Sequence, residues 1–343
     1  MFIPFEAQDR QSYYNLLEQI FDSGFWSEGN ILKQFESSFE AFSGIPSIAF
    51  VNGGSALQAI YEYIGVHGND VLVPANTFWA TSVAAKRAGA NVIYCDCNKT
   101  DLCISLDDIK KKITPKTKAV TVVHIGGHIA FEIEEISNFC KEKGIYLLED
   151  CAHSHGASYN GKTAGSWGIG GAYSFYATKT MPLGEGGMVV SHDKDFIKWC
   201  KYFRNYGKHV INGQVSYKLS NGFNFRMNEF TAALGIVQLN RLPKILQWKR
   251  NLAQKYDQLF ERRVIFPKGM VSGYYKYIVF DYTLNEETGK VFGVNDFGNE
   301  IDKTNVQLPN SYWIAQHHSC VPIWFGWEHC DLSVEQLKSI LLQ

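Results

Sequence analysis

The sequence lacks any long hydrophobic run. No apolar stretch approaches the roughly 18 to 20 residues that a membrane-spanning helix needs. Residues 1–6 (MFIPFE) also do not place a basic segment before an apolar one, as a secretory leader would. These two absences argue against a membrane protein and against a secreted one, so we expect a cytoplasmic protein with no membrane partner.

An excess of charge of one sign is lacking as well. The 343 residues contain 33 Lys plus Arg against 34 Asp plus Glu, and no basic stripe with interleaved aromatic residues is present. Because binding to a phosphate backbone needs such a stripe, no nucleic-acid partner is expected. The short basic run at residues 110–112 (KKK) is interpreted as a solvated helix face.

The eight cysteines include no C-x-x-C pair, and most lie in apolar segments. We interpret them as reduced and buried. No spacing of His and Cys matches a common zinc motif, so no metal site is predicted. Two metal-dependent alternatives stay open, the first on Asp150, His153 and His155. The second consists of His317, His318, Cys320, His329 and Cys330.

What the sequence does contain is a regular alternation of short apolar runs with helical patterns. Seven runs predict strands, at residues 47–52, 71–75, 91–97, 119–125, 145–150, 171–176 and 188–191. Helices are predicted between them at residues 56–66, 82–88, 131–143 and 196–206. This alternation is typical of an α/β fold in which helices cover both faces of a parallel sheet.

A long helical pattern begins near Asn228 and passes Leu242, where Pro243 is expected to bend it. Beyond it the chain is rich in aromatic residues and strand-like, and it closes with a helix. We therefore predict a large domain over residues 1–242 and a small C-terminal domain over residues 243–343.

Three polar sites follow predicted strands, at the sheet edge where open parallel sheets bind ligands. Asp150 ends one strand, and Lys179 follows another shortly before a glycine-rich turn at residues 184–187 (GEGG). At the third site, residues 52–55 (NGGS), a helix begins whose free amides could hold a phosphate. A phosphate cradle, an acid for a pyridinium nitrogen and an amine for an aldehyde are the contacts that pyridoxal 5'-phosphate (PLP) needs.

Five segments follow one another in a characteristic order: residues 24–29 (GFWSEG), 73–78 (VPANTF), 149–157 (EDCAHSHGA), 174–179 (SFYATK) and 224–229 (NFRMNE). Together they resemble the DegT/DnrJ/StrS sugar aminotransferases, which are PLP enzymes of fold type I, over about residues 20–245. The resemblance implies an aspartate-aminotransferase-like fold, with a mainly parallel seven-stranded sheet flanked by helices and a small C-terminal α+β domain.

The resemblance also implies roles for single residues. Asp150 would pair with the protonated pyridine nitrogen, and Phe78 would stack on the cofactor ring. His153 would contact the side of the phenolic oxygen, and Ser174 would help to bind the phosphate. Asn224 would reach the phosphate of the neighbouring subunit, so that the enzyme would be a homodimer with shared active sites.

Lys179 would carry the cofactor as a Schiff base and move protons on the substrate. Gly54 and Ser55 would bind the phosphate. The sequence departs from the family here, because Gly54 stands where a threonine is usual and Ser55 would have to supply the missing hydroxyl. Further departures at residues 181–183 (MPL) and 124–128 (HIGGH) bear on the substrate pocket.

The function implied is an aminotransferase that takes an amino group from glutamate or glutamine and gives it to a keto-sugar, expected to be nucleotide-linked. Dehydration of a sugar is the nearest alternative, but family members with that activity replace the lysine with histidine, and Lys179 is retained. A non-catalytic protein on the same fold is a further alternative.

Overall fold

A seven-stranded sheet forms the centre of the protein, whose computed structural model describes residues 4–291 and 307–342. In chain order the strands are β1 (Ser47–Phe50), β2 (Asp70–Pro74), β3 (Asn91–Cys95), β4 (Thr117–Val123), β5 (Tyr146–Asp150), β6 (Ser158–Tyr159), β7 (Lys162–Thr163), β8 (Gly170–Ser174), β9 (Gly187–Val190), β10 (Lys208–Ile211), β11 (Gln214–Tyr217), β12 (Met270–Val271), β13 (Tyr277–Phe280) and β14 (His318–Val321). The α-helices are α1 (Ala7–Ser23), α2 (Asn30–Ser43), α3 (Gly53–Ile64), α4 (Trp79–Arg87), α5 (Leu106–Lys112), α6 (Ile133–Lys143), α7 (Lys194–Phe203), α8 (Glu229–Tyr256), α9 (Pro309–His317) and α10 (Val334–Leu341).

The strand order in the central sheet is β1-β9-β8-β5-β4-β2-β3. Strand β9 runs antiparallel to both of its neighbours, and the other neighbouring pairs are parallel. The mainly parallel, seven-stranded α/β fold is therefore confirmed. The predicted strands are displaced from the observed ones by one or two residues, because the apolar runs do not stop where ladder pairing stops.

Helices pack on both faces of this sheet, as the alternation predicted. Apolar residues of α3, α4 and α7 form a core on one face, and those of α1, α2, α5, α6 and α8 form a core on the other. Alternate residues of β5 serve the two cores, with Leu147 in one and Leu148 in the other. This alternation decides which face receives each of the two acidic residues that end the strand.

Helix α8 continues without interruption from Glu229 to Tyr256, and Pro243 lies inside it. The proline therefore does not end the helix, and the predicted boundary between residues 242 and 243 falls within one element. A third apolar core nevertheless lies beyond that point, and it includes Tyr256, Val279 and Leu337. The division into two domains stays a prediction, which this separate core supports.

The N-terminal segment, whose helices the pattern analysis did not predict, is fixed to the start of α8. The buried carboxylate of Glu229 accepts hydrogen bonds from the amides of Gly29 (2.8 Å), Ile31 (2.9 Å) and Leu32 (3.3 Å) at the N-terminus of α2. A carboxylate at this end of a helix meets the positive end of the helix dipole and its free amides. Glu229 therefore joins two helices that lie about 200 residues apart in the chain.

Candidate active site

A cavity of about 450 Å³ lies at the edge of the sheet where β5 and β8 end and α3 begins. Asp150 and Ser174 are the last residues of those two strands, and Lys179 follows in the loop. The lining includes seven of the predicted residues or their neighbours: Gly53, Gly54, Phe78, Asp150, His153, Ser174 and Lys179. The structure thus brings together residues that are up to about 125 positions apart in the sequence.

The N-terminus of α3 forms one wall of this cavity. The side chain of Asn52 accepts a hydrogen bond from the amide of Ser55 (2.8 Å), which leaves the amides of Gly53 and Gly54 without an intrahelical acceptor. A Cβ atom on Gly53 would stand only 2.8 Å from the Cβ atom of Ser174, so only glycine allows this close approach. The result is a short, positively polarised cradle beside the Ser174 hydroxyl.

Ser55 is placed differently from Gly54. Its hydroxyl donates to the carbonyl of Asn52 (2.8 Å) and closes a capping box, and its side chain does not line the 450 Å³ cavity. The proposed phosphate contact of Ser55 stays a prediction, and in the structure this hydroxyl serves the helix cap. Gly54 does line the cavity, and its amide needs no side chain.

Asp150 is buried, with 5% of its surface exposed, and it faces the cavity. Its carboxylate accepts hydrogen bonds from the Thr81 hydroxyl (2.8 Å) and from the amide of Ala152 (3.0 Å). Burial raises the pKa of Asp150, and these two donors and the nearby Lys179 oppose that rise. A carboxylate with few partners in a buried site is ready to hold a cationic group, such as a protonated ring nitrogen.

Lys179 stands in a tight turn after β8. Its amide donates to the carbonyl of Tyr176 (2.9 Å), and the amide of Phe175 donates across the loop to Gly186 (2.9 Å). Burial and the cationic Lys276 lower the pKa of Lys179 to about 8, while Asp150 acts in the opposite direction. About a tenth of this amine is therefore unprotonated at pH 7, far more than for an ordinary lysine, and the unprotonated form is the one that acts as a nucleophile or base.

Aromatic side chains form part of the cavity lining. Phe78 is 55% exposed and lines the cavity from the start of α4. The His153 ring is buried and stacks on Tyr275 with 4.0 Å between ring centroids. Burial lowers the pKa of His153 well below its usual range, with Lys179 and Lys276 as further causes, so its imidazole is neutral.

Asn224 does not line the cavity of its own chain. It is exposed, and its backbone pairs with that of Asn205 in an isolated bridge. The predicted contact with the cofactor of a neighbouring subunit is thus geometrically possible only in an assembly, and it stays a prediction.

Motif analysis missed several residues of the site. Thr81 donates its hydroxyl hydrogen to the Asp150 carboxylate and therefore accepts from the Thr77 hydroxyl (2.7 Å), and Tyr275 arrives from the C-terminal part of the chain. The spacing of Thr77 and Thr81, four residues apart at the start of a helix, was a usable signal. No local pattern marks Tyr275, whose role comes from tertiary contacts.

The two sets of residues considered as alternative metal sites do not form groups of neighbouring ligands in the structure. Within residues 4–291 and 307–342, the one group of three candidate ligands consists of His124, Glu149 and Cys151, whose ligand atoms lie within 4.8 Å of one another. The Glu149 oxygens are already occupied by three backbone amides and by His124. His317 contacts Asp281, and Cys320 is buried in the core, so the C-terminal set is dispersed.

The described helices include none that is both long enough and apolar enough to cross a bilayer.

The fold and the arrangement of the site define an aspartate-aminotransferase-like α/β protein of fold type I. The model of the DegT/DnrJ/EryC1/StrS aminotransferase family matches residues 7–328, and the chain belongs to this family. The resemblance seen in the five motifs is thereby confirmed. Members of the family are in general PLP-dependent.

Two curated relatives illustrate the similarity. The chain is 36% identical over 244 residues to a GDP-perosamine synthase of Vibrio cholerae, a match that covers 70% of this chain and 65% of the relative. It is 32% identical over 285 residues to the dTDP-4-dehydro-2,3,6-trideoxy-D-glucose 4-aminotransferase of Saccharopolyspora spinosa, covering 77% and 73%. The match thus spans slightly less than two thirds of the first relative's length.

Solved structures confirm the fold. A putative sugar aminotransferase, Spr1654 of Streptococcus pneumoniae in its PMP form, superposes with a TM-score of 0.87, and the match covers 96% of this chain and 95% of that one. The two sequences are 19% identical, so this likeness speaks for the fold alone.

Proposed function

We propose that the protein is a PLP-dependent aminotransferase that moves an amino group from an amino acid, glutamate or glutamine, to a nucleotide-linked keto-sugar. The observation that carries this proposal is the placement of Lys179 and Asp150 on one cavity, together with the N-terminus of α3. The family and the sugar-nucleotide names of the relatives support the type of substrate.

The residues of the cavity fit this cofactor. The Lys179 amine suits its aldehyde, the Asp150 carboxylate suits its ring nitrogen, and the free amides of Gly53 and Gly54 with the Ser174 hydroxyl suit its phosphate. When bound, PLP supplies an electron sink that stabilises the negative charge left when a proton is removed beside the transferred amine.

Asp150 would keep the ring nitrogen protonated. Thr81 and the amide of Ala152 hold the carboxylate in place, so the group needs little reorganisation when it meets a cation. Because burial weakens the solvation of Asp150, its attraction for a cationic partner is stronger than it would be in water.

Lys179 would move the proton. A general base works best with a pKa close to the working pH, and burial brings the pKa of this amine to about 8. The retained lysine favours transamination over dehydration. The neutral imidazole of His153, held by Tyr275, would orient the cofactor without adding a charge.

A homodimer with shared active sites is part of this proposal. Asn224 is exposed, and a group of aromatic side chains near it in the chain is exposed too, including Tyr206 (46%), Tyr217 (71%) and Phe223 (60%). Exposed apolar patches of this kind mark interaction surfaces. The cytoplasmic location stays a prediction.

The first test is an absorption spectrum of the purified protein with added PLP, followed by borohydride reduction and peptide mapping. We expect a visible band and a pyridoxyl group fixed on Lys179. Attachment should become faster as the pH rises through about 8, because the unprotonated amine is the nucleophile.

Lys179→Ala should lose the band and all transamination while it keeps the fold, and Lys162→Ala, on short strand β7, serves as the matched control. Transamination by the Lys179→Ala variant, or an adduct on another lysine, would show that the site has been assigned wrongly.

A further inference from the structure

A second, smaller cavity of about 210 Å³ lies on the other side of Lys179. It shares Thr178, Lys179 and Tyr275 with the first cavity and extends towards α8 and the C-terminal core. Its volume is below the range of 300 to 1,000 Å³ that is typical for whole small-molecule ligands. The cavity therefore has room for one small group of a reactant and not for a nucleotide.

Three lysines line this cavity. Lys249 of α8 is 5% exposed, and its Nζ atom donates to the carbonyl of Tyr274 (3.0 Å). Lys276, which is half-buried, donates from its Nζ atom to the carbonyl (2.6 Å) and the hydroxyl (3.2 Å) of Thr288. The third is Lys179 itself.

Among the described residues, no carboxylate forms an ion pair with any of these three lysines. The ion pairs formed within residues 4–291 and 307–342 do not involve Lys249, Lys276 or Lys179, and the described lining contains no acidic residue. The nearest acidic influences are Glu287 on Lys276 and Asp150 on Lys179. The remaining walls combine neutral polar residues, such as Thr180 and Thr288, with apolar ones, such as Ile245 and Trp324.

A group of cations with neutral partners is costly in the folded protein alone, because desolvation is not balanced by an opposite charge. Burial and the neighbouring Lys276 accordingly lower the pKa of Lys249 to about 7. An arrangement that destabilises the free protein is expected where a ligand supplies the missing charge.

We propose that this second cavity binds a carboxylate group of a reactant, with Lys249 and Lys276 as the cationic partners. The size of the cavity, the absence of acidic walls among the described residues and the position beside Lys179 all fit this role. The identity of the reactant rests on the proposed function. The carboxylate would belong either to the side chain of a dicarboxylic amino donor or to an acidic sugar.

The test is isothermal calorimetry on the full chain with its cofactor, using glutarate, glucuronate and the uncharged diamide of glutaric acid as probes. None of these probes can transfer an amino group, so the measurement does not depend on turnover. We expect glutarate or glucuronate to bind and the diamide not to bind. Binding of glutarate alone assigns the site to the amino donor, and binding of glucuronate alone assigns it to the sugar.

The variants Lys249→Met and Lys276→Met should weaken binding of the carboxylate roughly tenfold or more, since a hydrogen bond to a charged group is lost. Lys276→Arg should retain binding, and Lys198→Met on the exposed side of α7 should match the wild type. Without any anion, Lys249→Met should unfold at a temperature at least as high as the wild type, which also shows that the variant folds.

Equal affinity of the wild type and both methionine variants, or equal binding of the diamide, would overturn the proposal. So would the failure of both carboxylates to bind. If carboxylate binding depends on Lys249 but no cofactor attaches to Lys179, then the inference stands and the proposed function fails.

Discussion

Strand β5 ends with two neighbouring carboxylates, Glu149 and Asp150, which have different surroundings. Glu149 is fully buried on one face of the sheet, where it accepts hydrogen bonds from the amides of Gly165 (2.7 Å), Trp167 (2.7 Å) and Gly168 (3.1 Å) and contacts His124 (3.0 Å). Asp150 is buried on the other face, where one hydroxyl and one amide reach it.

The comparison shows how partners decide the role of a buried acid. The oxygens of Glu149 are occupied by donors that cannot move without moving the backbone, so this residue holds the loop after β7 against the sheet. Asp150 faces a cavity and has room for a further cationic partner. One acid therefore serves the fold and the other the chemistry, although they are adjacent in the sequence.

Among substitutions that test the comparison of the two acids, the largest effect on activity is expected from Asp150→Asn. An amide cannot keep a ring nitrogen protonated, so turnover should fall on the order of 10²- to 10³-fold. Burial raises the pKa of Asp150, so the folded protein resists its ionisation and loses stability as pH rises through that pKa. The variant should then be at least as stable as the wild type near neutral pH, as urea unfolding can check. If Asp150→Asn lost stability but kept its turnover, Asp150 would have the structural role that is assigned here to Glu149.

Glu149→Gln should instead lower the stability of the fold. Its amide nitrogen would face backbone donors, leaving at least one buried group unsatisfied, which costs about 3 kcal/mol in the free energy of unfolding. Cofactor attachment by the folded fraction should persist. Glu142→Gln, on the exposed end of α6, is the control and should unfold like the wild type. If Glu149→Gln proves as stable as this control, the structural role of Glu149 is wrong.

Thr81→Val should give a smaller change than either substitution of the two acids. It removes one hydrogen bond to the Asp150 carboxylate and should lower turnover by about fivefold to tenfold, with little change in stability. Thr77→Val removes a hydrogen bond to the Thr81 hydroxyl rather than one to Asp150, so it should have a smaller effect. Steady-state kinetics measure the turnover of both variants. An equal loss of turnover in both would mean that Thr77 and Thr81 orient helix α4 rather than the Asp150 carboxylate.

Much of the fold could be predicted because its causes are local. Strands buried on both faces read as continuous apolar runs, and those runs ended near the residues where the observed strands end. The edge of a parallel sheet then placed Asp150, Ser174 and Lys179 together. The start of α3 at Gly53, earlier than predicted, follows from the cap of Asn52, which the pattern of apolar residues does not register.

The rest could not be predicted because it depends on distant contacts. Tyr275 and Lys276 reach the site from about 100 residues downstream of Lys179, and in the sequence Lys249 resembles any helical lysine. The functional division between Glu149 and Asp150 is equally invisible, since it depends on the loop that supplies amides to only one face. Ser55 lies in the predicted phosphate-binding segment, but its hydroxyl donates to the carbonyl of Asn52 in the N-terminal cap of α3.

The bond between Glu229 and the start of α2 imposes an order on biosynthesis. A ribosome adds about 5 to 20 residues each second, so roughly 10 to 40 seconds separate the emergence of residues 29–32 from that of their partner. Throughout that interval the amides at the N-terminus of α2 lack the carboxylate that fixes them. The N-terminus of α2 can therefore be fixed only after Glu229 has been synthesised. The residues that enclose Lys179 from the C-terminal side emerge later still.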